Sequence, residues 1–340
     1  PEKVTPTNIE FVDIAGLVKG ASKGEGLGNQ FLGHIRGVDA IAHIVRCFED
    51  PDVVHVSGCV DPKRDIEIIN TELILADLEA VEKRLDKTAR LAKTGDKESV
   101  AAVDSCKAFK DTLENGRPIR SILNPPFNKG GNKGGLEKGR ALSSPPLKKG
   151  DTGGFSDDMR ELLKELNLLT AKPVLYVANV DEAGLLHPPL PPFEKGGMKG
   201  GCHVHTVRDI AEKEGARLVV MCGKVEAEIA ELQEGERAEF LKGLGLKESG
   251  LDRLAKEGRE LLGLITFFTA GKKEVKAWTV KRGTNALVSA GAIHSDIERG
   301  FIRAEVISYN DYVNSGSENA AKEKGLMRIE GKEYIVEDGD

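Results

Sequence analysis

Asn8-Ile-Glu-Phe-Val-Asp-Ile-Ala-Gly16 runs into a stretch with glycines at 20, 24, 26 and 28, and Ala40-Ile-Ala-His-Ile-Val-Arg46 follows it. Asn8–Asp13 predicts a short strand ending on a carboxylate, and Gly16 to Gly28 predicts a loop. Gln30 to Val38 starts like a helix, and the near-continuous apolar run at 40–46 suits a buried parallel strand. Strand, loop, helix, strand is the grammar of an α/β sheet.

Outward from this unit the period becomes helical. Ile66, Ile69 and Leu73 recur at spacings of three and four, and Ile74, Leu78, Val81, Leu85, Ala89 and Ala92 continue on an adjacent stripe. A second helix is expected from Lys97 to Leu113, so the pair predicts a helical hairpin projecting from the sheet. Asn124-Pro-Pro-Phe-Asn-Lys-Gly-Gly then recurs as Ser144-Pro-Pro-Leu-Lys-Lys-Gly and as Pro191-Pro-Phe-Glu-Lys-Gly-Gly. Such units lack the apolar side chains that offset ordering entropy and predict disordered insertions, with a flexible basic tether as the alternative.

The α/β grammar resumes with a helix at Met159–Leu168 and a buried strand at Pro173–Asn179. Helix follows at Val207–Glu214, strand at Arg217–Cys222 and helix from Val225. From Ile265 short alternating runs separated by glycine turns predict a small α+β domain. Its pattern stops in mid-hairpin near Tyr334–Val336, as if the C-terminal end were clipped.

Composition excludes several classes. The chain of 340 residues is 39% hydrophobic and 31% charged, which describes a globular protein of two or three domains. No apolar run approaches the ~18 residues of a membrane span, and the opening residues show no export signal. A net charge of −6 argues against nucleic-acid binding by overall basicity. The tail nevertheless holds a local basic cluster, Lys272, Lys273, Lys276, Lys281 and Arg282. The five cysteines form no CxxC pair and fit reduced thiols.

Three strand ends carry candidate chemistry. Asp13-Ile-Ala-Gly16 is a D-x-x-G; in phosphate-binding α/β proteins that pattern at a strand end puts the carboxylate near Mg²⁺ through water and the glycine N–H against a terminal phosphate, and a tight turn is the bland reading. Asn179-Val180-Asp181-Glu182 places an amide and a carboxylate three apart, able to read a purine edge. Val180 and Glu182 depart from the N-K-x-D that reads guanine, which weakens that reading, and the Asn179 amide can satisfy the N6 donor and N1 acceptor of adenine. Cys222-Gly223 opens a third loop, where backbone groups touch the base. All lie where an open α/β sheet binds ligands. No G-x-x-x-x-G-K-[ST] occurs, so a phosphate cradle is expected ahead of Pro1. Cys202-His-Val-His205 is a weak metal candidate, and Trp278 is expected in the core.

Glu10 through Asn29 together resembles the Obg-like ATPase family of YchF type. So do Val45-Arg-Cys-Phe-Glu49, Asp65-Ile-Glu-Ile-Ile-Asn-Thr-Glu-Leu73, Asn179–Glu182, Phe268-Thr-Ala-Gly271 and Gly300-Phe-Ile-Arg-Ala304. The resemblance implies a P-loop NTPase-type parallel sheet (G domain, 1–64 and 155–262, phosphate loop and first switch missing). It also implies a coiled-coil arm at 65–123, with room for its return to extend past the insertion, and a β-grasp-like TGS domain at 263–340, with insertions at 124–154 and 184–202. Function follows as expectation: a cytoplasmic hydrolase preferring ATP, with GTP as a further substrate. The cofactor is Mg²⁺, with room for K⁺. The partners are the ribosomal large subunit and RNA, through the arm and TGS domain. Residue by residue, Asp13 and Gly16 match the Mg²⁺/γ-phosphate loop, and Leu17 replaces the water-orienting glutamine. His55 matches a mobile histidine that orients water, although on residues alone it reads as an idle strand-edge histidine. Asn179, Val180 and Glu182 match the adenine reader, with Cys222 and Gly223 alongside. A non-catalytic ribosome- or RNA-binding module is the rival reading.

Overall fold

The computed structural model describes residues 2–14, 27–55, 57–93, 97–123, 157–186, 199–271 and 273–340. The described chain divides into two compact units, one of residues 2–11 and 262–340 and one of residues from Val12 to Leu261. The first strand, β1 (Lys3–Thr5), pairs in parallel with a strand of the C-terminal unit, Lys3 opposite Glu274. Asn8–Asp13, expected as a strand of the α/β sheet, is not one. Its alternation is suitable, but a strand also needs a ladder partner, and Phe11 and Val12 stay half exposed. Residues 2–11 therefore belong with the C-terminal unit, where the sequence reading placed them in the G domain.

In the larger unit, α1 (Leu27–Gly37) leads to β2 (Ile41–Arg46). Next comes α2 (Pro62–Ala92), a helix of 31 residues. Asp61 caps it by accepting the Arg64 N–H, and Pro62, which has no N–H to leave unsatisfied, stands at its first position. After it come α3 (Lys97–Glu114), α4 (Arg120–Leu123) and α5 (Asp157–Leu166). Then follow β3 (Val174–Asn179), α6 (Glu182–Leu186), α7 (Lys199–Glu214) and β4 (Arg217–Met221). The unit closes with α8 (Gly223–Glu231), α9 (Glu234–Gly243) and α10 (Gly250–Leu261).

β2, β3 and β4 form a parallel sheet in that order. β3 is central and buried along its length, which is why its sequence is continuously apolar. Among the described residues β2 is an edge, and one of its faces is open: Ile44 is 65% exposed. Val45, Tyr176, Ala178, Val204, Val207 and Val225 fill the core between sheet and helices.

The arm has its own core. Val81, Cys106, Phe109 and Leu113 bring α2 and α3 together, and Leu162 of α5 joins them. α5 thus packs with the arm, as a return of the arm past the insertion would, although residues 155–262 are otherwise expected in the G domain. At the arm's root Asp77 is fully buried on α2. It accepts the Leu169 N–H, the Thr170 N–H and the Thr170 hydroxyl at 2.9, 2.7 and 2.6 Å. Residues 124–156 and 187–198, most of the expected insertions, lie outside the described residues. The edges of the second one are helical: Leu185 of α6 is buried, and α7 already runs from Lys199.

In the C-terminal unit, β5 (Leu264–Ala270) and β6 (Glu274–Lys281) are antiparallel. α11 (Ala286–Ile293), α12 (Ser295–Gly300), β7 (Ala304–Val306), α13 (Tyr309–Ser315), α14 (Glu318–Glu323) and β8 (Arg328–Glu330) complete it. Ile265, Phe267, Val280, Ala286 and Val336 form its core, against which Trp278 packs. The Trp278 indole N–H donates to Thr269, and Lys276 lies over its ring.

Candidate nucleotide site

The parallel register aligns the carboxyl ends of three strands. Arg46 of β2 stands opposite Asn179 of β3, and Asn179 opposite Met221 of β4. The segments that continue from these ends, 47–55, 180–182 and 222–223, therefore begin side by side. Backbone bonds carry the alignment past the strands, from Cys47 N–H to the Asn179 carbonyl and from Val180 N–H to the Met221 carbonyl.

Asn179 and Gly223 meet directly. The Gly223 N–H donates to the Asn179 side-chain oxygen at 2.9 Å. That bond fixes the orientation of the amide, because the atom facing an N–H must be Oδ1, and it leaves both Nδ2 hydrogens as donors. A β-carbon at position 223 would sit 3.4 Å from Oδ1, in ordinary contact with the amide. Val180 and Cys222 are buried supports behind this contact. Glu182 is exposed at the start of α6, whose first turn Asp181 caps by accepting the Gly184 N–H at 2.8 Å.

The segment after β2 is held by Arg46. Its guanidinium donates to the carbonyls of Phe48, Asp50 and Val53 and lies over the Phe48 ring. His55 follows immediately. Its Nδ1 accepts the Ser57 N–H at 3.1 Å, and its Nε2 lies 3.1 Å from the Asp65 carboxylate. Asp13 is exposed in irregular chain, and the neighbouring Ile14 packs on the cluster of Leu32, Ile35, Leu73 and Leu169. Gly16 and Leu17 lie outside the described residues.

Beneath the sheet is a polar cluster that no sequence pattern announced. Arg120 of α4 is buried; it donates to Glu214 of α7 at 3.0 and 3.2 Å and to Asn70 of α2 at 2.9 Å. The Tyr176 hydroxyl also donates to Glu214, and burial, reinforced by that carboxylate, pushes it up to about 12. His43 packs its ring on Tyr176; burial and then the Arg120 charge push its imidazole down to about 4. Burial alone pushes the Cys47 thiol up to about 12, which makes it unreactive. Among the described residues no group of three or more His, Cys, Asp or Glu side chains could hold a metal; the Cys202 side chain, on which the Cys202-His-Val-His205 candidate depends, lies outside the described residues.

Comparison with known proteins agrees with this architecture. A model described as 50S ribosome-binding GTPase matches residues 2–93, and one for the C-terminal region of YchF GTPases, described as a protein of unknown function, matches residues 264–340. The ribosome-binding ATPase YchF of Bacillus subtilis is 48% identical over all of this chain and 82% of its own length. The chain belongs to the YchF family. The Haemophilus influenzae member is 46% identical over the same shares. The solved Schizosaccharomyces pombe YchF GTPase matches with a TM-score of 0.77 and 33% identity, over 100% of this chain and 81% of that one. The larger unit is thus a G-domain fold with its parallel sheet and helices, followed by the family's C-terminal domain.

Proposed function

We propose that this family member binds and hydrolyses ATP with Mg²⁺ at the aligned strand ends, as part of a cycle on the ribosome. The observation that carries the reading is the Asn179–Gly223 bond. Guanine presents a 6-oxo acceptor and needs a donor there, but the Gly223 N–H at the head of α8 is already engaged. The free Asn179 Nδ2 hydrogens suit the N7 acceptor of either purine, and the Glu182 carboxylate suits the 6-amino group of adenine. In this assignment Val180 and Cys222 shape the floor of the base pocket.

Asp13 and Gly16 would meet the γ-phosphate side. An exposed carboxylate suits Mg²⁺, which keeps several waters and takes its remaining oxygens from phosphates. Bound there, the ion would neutralise developing phosphate charge. Leu17 cannot orient water, so that role passes to His55. Ribosome binding is supported by the names of the relatives, and the large subunit and RNA are assigned to the arm and to a TGS-type C-terminal domain near Lys273, Lys276 and Arg282. GTP as a second substrate, K⁺ and a cytoplasmic location complete the reading; no described helix is long and apolar enough to cross a membrane.

Phosphate release with Mg²⁺ and ATP or GTP tests it. ATP is expected to be preferred, and His55→Ala to lower turnover by at least ~10²-fold with nucleotide affinity kept. A clear GTP preference overturns the base assignment, and ribosome binding without turnover points to the non-catalytic module.

A further inference from the structure

We propose that Asp65 is the positioning residue for His55: its carboxylate holds the Nε2–H and leaves Nδ1 as the ring nitrogen that accepts from the attacking water. The inference rests on the reading of His55 as the water-orienting group. The tautomer follows from the contacts. Ser57 N–H donates to Nδ1, so the lone pair of the neutral ring is there and its proton is on Nε2. Nε2 faces Asp65 Oδ2 at 3.1 Å and is therefore the donor.

The two partners of the ring differ in kind. Ser57 is two residues away on an exposed stretch, and its N–H is a contact that a water can replace. Asp65 is ten residues away in the first turn of α2, a helix capped by Asp61. Its other oxygen, Oδ1, is held by Arg64, whose Nε and Nη2 donate to it at 3.3 Å each. Arg64 also reaches back to the Cys59 carbonyl at 2.6 Å and so ties the segment after His55 to the helix. A carboxylate on one ring nitrogen and an acceptor lone pair on the other form the arrangement by which a carboxylate orients a histidine.

Long-range ¹H–¹⁵N spectra of the histidine rings test the proposal without depending on turnover. In the unmodified protein His55 is expected as the Nε2–H form. Asp65→Ala should relax it toward a mixture of tautomers, while Asp65→Asn, which keeps a carbonyl acceptor in the same place, should largely retain the Nε2–H form. In steady-state hydrolysis, Asp65→Ala should lower kcat at least ~10-fold with KM within about twofold, and adding it to His55→Ala should cost nothing more. An Nδ1–H ring in the unmodified protein, an unaltered tautomer in Asp65→Ala, or additive losses in the double variant overturn the proposal. If the tautomer relaxes as expected but His55→Ala turns over normally, the orientation stands and the hydrolytic role of His55 falls.

Discussion

The side-chain oxygen of Asn179 accepts the Gly223 N–H at 2.9 Å, joining the end of the central strand to the head of α8. Each atom of that amide therefore has a different task, and substitution can separate them.

Asn179→Ala removes the Nδ2 donors and frees the Gly223 N–H. ATP binding is expected to weaken at least ~10-fold, about 1.4 kcal/mol, and discrimination against GTP to narrow because the freed N–H can serve a 6-oxo group. Asn179→Asp keeps the acceptor for Gly223 but loses the donors, so affinity falls while discrimination persists. Competition between fluorescent ATP and unlabelled nucleotides distinguishes the two patterns.

His43 makes stability depend on pH. Its folded-state value, about 4, lies below the 6.5 of a free histidine, so the native state binds fewer protons between those limits. Stability is full above about pH 6.5 and declines as pH falls toward 4. The slope of ~1.4 kcal/mol per unit sets a ceiling near 3 kcal/mol, and since His43 keeps some exposure to solvent about 1–2 is expected. Urea unfolding at about pH 7 and about pH 5 should show this loss, and His43→Asn should remove most of it.

Asp77 holds the arm to the sheet domain through three donors. Asp77→Ala would leave the Leu169 and Thr170 groups unsatisfied in the core, at a cost of about 3 kcal/mol. Asp77→Asn retains one acceptor oxygen and should cost less. Equilibrium denaturation ranks the pair, and equal losses would mean that shape, and not hydrogen bonding, fixes the root.

Gly250 opens α10 against a crowded wall. A β-carbon there would stand 2.7 Å from both Glu226 Oε1 and Met221 Cβ. Glu226 is buried and accepts the Gly250 and Leu251 N–H groups at 2.7 and 3.1 Å, so it cannot withdraw freely. Gly250→Ala should therefore destabilise by about 1–3 kcal/mol, seen as a lower Tm, despite alanine's better helix propensity.

Local pattern made some elements legible and left others hidden. β3 is readable because a central parallel strand must be apolar on both faces, and α2 and α3 because their spacing repeats over many turns. Lys3–Thr5 shows no alternation and is a strand only because β6 offers it an edge, whereas Asn8–Asp13 alternates well and has no ladder. The start of α7 was masked by Lys199-Gly-Gly201, which reads as loop until Val204 and Val207 bury. At the candidate site, Asn179 and Gly223 stand out as residues at strand ends. Arg120 and Glu214 are 94 positions apart and Asp65 is ten from His55, and no periodicity connects such pairs.

α2 runs from Pro62 to Ala92 with no glycine and with its one proline at the first position. From Asp65 to its far end is about 40 Å of unbroken hydrogen-bonded rod, with no hinge to absorb a tilt. Anything that levers the tip of the arm must therefore turn Asp65 with it, and the imidazole resting on that carboxylate would register the touch of a distant partner as a fraction-of-an-ångström change in aim.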